Sequence, residues 1–200
     1  MNKPAVYLFA YVTMLIAGLF ILRVIVRHGY RDQDRLAPVP ATLQALLFFC
    51  YGGFPILYLP ADWPAVHVNL VQQALGLCLL YGGLGTLLYG MSQLGLLRSL
   101  GQGKPAMIQS GLYRFTRNPQ VLACGAYVVG FTLMWPSWYA VFWACLFAIL
   151  IHAMVVTEEE HLRRINGHNY DAYCRKVPRY FGLRSGNSRS ANDSQNQLRH

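Results

Sequence analysis

Apolar and polar residues fall along this chain in long blocks, without the short alternation of a half-buried strand. Runs of about 20 apolar residues, the length that crosses a hydrocarbon layer as a helix, cover roughly Ala5–Val26, Ala41–Pro60, Leu70–Leu94, Pro119–Trp135 and Trp138–Val156. They predict an all-α, polytopic membrane protein with about five transmembrane helices. The fourth run is short for a span, since about 17 residues at about 1.5 Å each reach only about 25 Å. Trp135-Pro136-Ser137-Trp138, between the fourth and fifth runs, reads as a tight turn flanked by interfacial aromatics, so these two helices should form an antiparallel hairpin. Lys3 precedes the first run and arginines, with no small-residue cleavage site, follow it. That run reads as a retained span.

The polar segments set the orientation. Sixteen of the 17 Lys and Arg residues lie at the end of the first run or after it, after the third or in the tail, and only Lys3 lies on the opposite side. Cytoplasmic segments accumulate such residues, so the expected topology places the N-terminus outside and the C-terminus in the cytoplasm of an inner or plasma membrane. With 54% hydrophobic and 12% charged residues the composition excludes an ordinary soluble domain. The net charge of +9 is spread over several segments and forms no basic stripe, which favours orientation and anionic lipid over nucleic acid as its explanation. Cys50, Cys78, Cys124 and Cys145 lie inside apolar runs and only Cys174 outside, so neither a disulfide framework nor a metal site is expected. Glycines crowd the third and fourth runs, where small residues let backbones approach closely. One domain is expected over 1–183, with spans in 1–94 and chemistry in 95–183, followed by a Ser/Asn/Gln/Arg-rich segment, 184–200, that reads as disordered.

Candidate chemistry sits at two places. Ser110 to Pro119 is a short polar segment ending in a helix start, with Asn118 as N-cap and Pro119 at the first helical position. It holds Tyr113, Arg114 and Arg117 at a helix mouth whose free N–H groups favour an anion. An ordinary cytoplasmic loop with orienting arginines is the alternative. The second place is Thr157-Glu158-Glu159-Glu160 at the end of the fifth run. Thr157 with Glu160 fits a capping box that would start a new helix as the chain leaves the membrane. Glu158 and Glu159 are left without that explanation, and ionisable groups at such a depth are usually paired or functional. Gly167 reads as a C-cap, Tyr170 and Tyr173 share a face of the next short helix, and His152 stands alone within the fifth run as a core histidine bonded to a neighbouring helix.

Gly111-Leu112-Tyr113, Arg117-Asn118-Pro119, Glu158-Glu159, Gly167-His168-Asn169-Tyr170-Asp171-Ala172-Tyr173 and Val177-Pro178-Arg179 together resemble the membrane methyltransferases typified by isoprenylcysteine carboxyl methyltransferase and the phospholipid methyltransferases. The resemblance runs from about Leu94 to Phe181. It implies an S-adenosylmethionine-dependent methyltransferase acting on a lipid or lipid-tailed acceptor, with the cofactor in a cytoplasm-facing pocket. Residue by residue, it implies Pro105, Ala106, Met107, Ile108, Tyr113, Asn118, Pro119, Glu158, Tyr170 and Tyr173 as cofactor contacts and Arg117, Glu158 and Glu159 as catalytic residues. Val121 and Ala123 stand where the pattern has tyrosine and glycine, Asn166 where it has phenylalanine. Met154 occupies the place of the arginine that holds the carboxylate in eukaryotic prenylcysteine enzymes, which weakens the case for that acceptor. Two other readings stay open: an NADPH-dependent membrane reductase of the sterol-reductase type, and a non-enzymatic membrane protein that keeps the fold for binding or assembly.

Overall fold

A computed structural model describes residues 3–30, 35–94 and 111–181. All regular structure among these residues is helical. Helix α1 runs Lys3–Phe20, widens into a π-helical turn at Ile21–Val26 and ends with Arg27–Gly29. Helix α2 is Pro38–Gly53, tightened at its end by a 3₁₀ turn, Phe54–Leu57. Helices α3 (Leu70–Leu94), α4 (Pro119–Met134) and α5 (Trp138–Lys176) complete the set. Four of them are long and apolar enough to cross a membrane, and the fifth, α4, is the short one. At 16 residues α4 spans about 24 Å of an apolar layer about 30 Å thick. Pro105–Ile108 and the 184–200 segment lie outside the described residues.

Two groups of helices form the body. Helices α1, α2 and α5 share the main core, where Tyr51 on α2 stacks on Trp143 of α5 with ring centroids 5.1 Å apart. The Tyr51 hydroxyl donates to the Trp143 carbonyl and the Trp143 indole N–H donates to the Tyr51 carbonyl, both at 3.2 Å. Each buried polar group is thereby satisfied without water. Tyr7 on α1 closes the same layer by donating to the Tyr139 carbonyl at 2.7 Å.

The second group is α3 against α4, and glycine decides its geometry. A Cβ added at Gly83 would lie 2.6 Å from the Ala123 carbonyl oxygen, and one added at Gly130 would lie 2.6 Å from the Leu80 nitrogen. The backbones therefore meet directly, as small residues permit in lipid. Gly82 and Gly85, by contrast, face open space. At one end of the pair Trp135 donates to the Ala65 carbonyl and its ring lies 6.1 Å from Trp63, so the α2–α3 connection and the α4–α5 turn share one end of the molecule. Ser137 caps α5 by accepting from the Ala140 N–H at 3.1 Å, and the expected hairpin of α4 and α5 is present.

Helix α5 overturns the capping-box expectation. It is continuous through Thr157–Glu160, and its only break is Gly167, whose φ of +48° and ψ of −124° divide it into 138–166 and 168–176. Thr157 is a mid-helix residue. Its hydroxyl lies within bonding distance of the Ala153 carbonyl one turn back and of the Leu22 carbonyl across on α1, at 2.9 and 3.2 Å. Nothing in the run 157–160 stops a helix, so a polar stretch on leaving the bilayer needs no new start. About 58 Å of helix results, roughly twice what the bilayer needs, and the excess carries the charged residues beyond it.

Candidate functional site

Successive helix residues point about 100° apart, so the three glutamates of α5 face three different neighbours. Glu160 faces α1, where its carboxylate meets Arg23 Nη2 at 3.0 Å and Arg27 Nε at 2.8 Å. Arg23 also donates to the Thr157 hydroxyl at 3.0 Å. The π-helical turn carrying Arg23 is thus fastened to α5, and Glu160 is fully used in holding it. Just beyond, Tyr30 stacks on His161 with ring centroids 4.2 Å apart, and Arg164 donates to the Tyr30 carbonyl.

Glu159, about 100° round the helix from Glu160, faces the segment after α5 and is 4% exposed. Arg179 donates to its Oε2 through Nε at 3.1 Å and Nη2 at 2.7 Å, while Arg117 Nη1 stands 3.1 Å from Oε1. The carboxylate holds the Arg179 guanidinium above its ordinary pKa. A buried carboxylate with two guanidinium groups is stable only because its charge is compensated on both oxygens. The compensation is incomplete in one respect. Arg117 Nε and Glu159 Oε1 have no hydrogen-bond partner among the described residues, since the Arg117 contact with Oε1 lacks the alignment of a hydrogen bond. Arg117 Nη1 donates instead to the Cys174 sulfur at 2.8 Å. Tyr170, buried beside both charged groups, has its hydroxyl pKa raised by burial first and by Glu159 second.

The same arginine fixes the loop before α4. The Arg179 carbonyl accepts from the Thr116 hydroxyl and from the Asn118 side-chain amide, both at 3.1 Å, and the Arg117 N–H donates to the Pro178 carbonyl at 2.9 Å. Asn118 stands at the expected N-cap position with Pro119 following, but its side chain does not cap α4. The amide is drawn away by the Arg179 carbonyl, and the first turn of α4 keeps backbone N–H groups without a side-chain cap. Tyr173 completes the enclosure by donating from its hydroxyl to the Tyr113 carbonyl at 2.9 Å.

Glu158 is the remaining carboxylate. It is half-buried, and among the described residues it has neither a hydrogen bond nor an ion pair. Burial first, and the negative charge of Glu159 second, push its pKa up to about 7. Its charge is felt at Tyr113, whose own pKa is pushed up to about 12 chiefly by burial, and at Tyr30. Among the described residues Glu158 thus stands without a partner in the field of Tyr113 and Tyr30, an arrangement with the chemistry to accept a cationic group.

The fold therefore brings Tyr113, Arg117, Asn118, Pro119, Glu158, Glu159, Tyr170 and Tyr173 to one end of the molecule. Arg179 was not among the candidates drawn from the sequence, although its Val-Pro-Arg motif was in view, and neither was Thr116. His152 departs from its expectation as a core residue: it is exposed, and its Nδ1 lies 3.1 Å from the Tyr180 hydroxyl on the segment after α5, not from another helix. Among the described residues there is no cluster of metal-binding side chains.

Residues 71–169 match the family model described as phospholipid methyltransferase, a stretch that begins with α3 and ends two residues past the Gly167 kink. Neither the comparison with curated proteins nor that with solved structures gives a match.

Proposed function

Since residues 71–169 match the phospholipid methyltransferase family model, we propose that the chain transfers a methyl group from S-adenosylmethionine to a lipid or lipid-tailed acceptor at the cytoplasmic membrane face. The observation that carries this reading is the division of labour along Glu158-Glu159-Glu160. Two of the three carboxylates are engaged by arginines, and Glu158, whose charge is felt at Tyr113, has no partner among the described residues. The orphaned Arg117 Nε and Glu159 Oε1 add two buried polar atoms that a ligand would satisfy.

S-adenosylmethionine supplies a methyl group on a positively charged sulfur, which an acceptor atom displaces in line. The chain's own part in such a step is to bind, orient and exclude water, because the sulfonium loses charge as the methyl leaves and needs no strong acid or base. Glu158 would hold the ammonium group of the cofactor by a charge-assisted hydrogen bond. The N–H groups of the first turn of α4 that follow Pro119, which Asn118 does not cap, would hold its carboxylate. Tyr113, Tyr173 and the Pro105–Ile108 stretch would enclose it. Glu159 and Arg179 fix Arg117, which is left to orient the acceptor or the loop.

A lipid acceptor is supported by the surroundings, since the site stands at the end of helices long and apolar enough to cross a membrane. The test is incubation of the purified protein with tritium-labelled S-adenosylmethionine and a lipid extract. Label in the organic phase is the expected result, and binding of NADPH in place of S-adenosylmethionine would favour the reductase reading.

A further inference from the structure

The segment after α5 does more than hold Glu159. On α5, Trp138, Val141, Phe142 and Ile149 are exposed and fall on one stripe, the face that meets lipid. His152 continues that stripe towards the cytoplasmic end and Glu159 follows about two turns later on the same face. Arg179 sits on Glu159, and the next residue, Tyr180, reaches His152. The strap 177–181 therefore runs back along α5 towards the bilayer, from the charged cluster to a histidine, and ends with Phe181 at 86% exposure.

An imidazole on the lipid-facing stripe of a spanning helix is costly unless its polar atoms have partners. Tyr180 satisfies one ring nitrogen, Nδ1. The other, Nε2, has no partner among the described residues although the residue is exposed. In the tautomer in which Nδ1 accepts from the Tyr180 hydroxyl, the neutral ring carries its hydrogen on Nε2 and presents it to the lipid side. The acceptors that an acyl lipid offers to such an N–H are its ester carbonyl oxygens. The spacing along α5 agrees: His152 stands about 9 Å from Glu158 on the side of the apolar run, within the reach of an ester linkage from a headgroup held at Glu158.

We propose that the His152–Tyr180 pair is a binding subsite for the ester carbonyl of an acyl lipid, and that it aligns an ester-linked acceptor whose headgroup reaches the Glu158 and Arg117 site. This rests on the lipid-acceptor reading above and narrows it, because prenyl and ether-linked chains lack the carbonyl. His152 supplies the hydrogen bond, and Tyr180 acts as a positioning residue that fixes the ring.

The test is lipid retention by the detergent-purified full chain in native mass spectrometry, with dioleoyl phosphatidylethanolamine compared against its diether analogue. The wild-type protein should retain the ester lipid about two- to tenfold better, the worth of one hydrogen bond. His152→Phe should abolish the preference, Tyr180→Phe should reduce it, and His152→Gln, which keeps an N–H donor, should restore most of it. Equal retention of the two lipids by the wild type, or a preference that survives in His152→Phe, would overturn the subsite. The same samples titrated with S-adenosylmethionine separate the two ideas. Unchanged cofactor affinity in the variants shows that the fold is intact, whereas a wild-type protein that binds no cofactor overturns the methyltransferase reading and leaves the lipid comparison to decide the subsite.

Discussion

Arg179 grips Glu159 from twenty residues further along the chain, with Nε and Nη2 at 3.1 and 2.7 Å from the same carboxylate oxygen. Its carbonyl meanwhile accepts from Thr116 and Asn118, so a single residue ties the end of α5 to the loop that starts α4.

Arg179→Ala should therefore cost both stability and turnover. Glu159 keeps Arg117 but loses two charge-assisted hydrogen bonds, and a loss of about 2–3 kcal/mol is expected from a buried carboxylate left half-compensated. Arg179→Lys keeps the charge but cannot form the planar fork, and should recover the melting temperature in detergent better than the rate. A lysine variant with wild-type turnover would show that the fork does not matter.

The α3–α4 contact makes a prediction with its own control. Gly83→Ala and Gly130→Ala place a methyl group within 2.6 Å of opposing backbone, which cannot move aside as a side chain could, and should destabilise by about 1–3 kcal/mol. Gly82→Ala and Gly85→Ala, on the open face of the same helix, should be neutral or slightly stabilising through helix propensity. Thermal unfolding of the four variants distinguishes the two faces. Equal melting temperatures would mean that the helices do not meet through glycine.

Much of this arrangement was legible in the sequence, and the pattern of what was not is physical. The bounds of α3 and the start of α4 at Pro119 follow from where apolar runs begin and end. So does the hairpin, from Trp-Pro-Ser-Trp. The partners of Glu158, Glu159 and Glu160 could not be read, because each lies on a different face and its role depends on which element packs there. Thr157 and Glu160 fit a capping motif whose spacing also occurs by chance inside a helix, and here the helix continues because α1 supplies Arg23 and Arg27 as partners. Asn118 was placed correctly but its amide was not, since the competing acceptor, the Arg179 carbonyl, is sixty-one residues away in the chain.

The orientation is open to a direct check. Trp135 bonds to Ala65, so Ala65 and Ser137 lie at one end of the molecule, and Lys176 lies beyond the other end of α5. With the expected positive-inside topology, single cysteines at Ala65 and Ser137, in a chain lacking the native five, should react with an impermeant maleimide in intact cells. A cysteine at Lys176 should react only after lysis. The reverse pattern would invert the protein in the membrane.

Protonation of Glu158 supplies a pH dependence. Its pKa is raised to about 7 in the folded chain, so the folded state holds this proton over the window from its ordinary value of 4.5 up to about 7, and stability contributed by the protonated form is lost as the pH rises through that window. Cofactor binding should run the other way, because the anion is what holds an ammonium group. Affinity should rise up to about tenfold per pH unit below about 7 and level off above it. Glu158→Gln should flatten the profile between pH 5.5 and 7.5. An unchanged profile in that variant would assign the titration to another group.

The most direct measurement is titration of S-adenosylmethionine by calorimetry into the wild type, Glu158→Gln and Glu160→Gln. Glutamine keeps the shape of either side chain and removes its charge. Glu158 has no partner among the described residues, so its charge is free for a ligand, and its loss should weaken binding by about 1.5–3 kcal/mol, roughly ten- to a hundredfold. Glu160 is engaged by Arg23 and Arg27 at 3.0 and 2.8 Å, and its loss should lower stability and leave affinity unchanged. If Glu160→Gln loses binding while Glu158→Gln binds as the wild type does, the division of labour along the three glutamates is contradicted, and with it the account of the site.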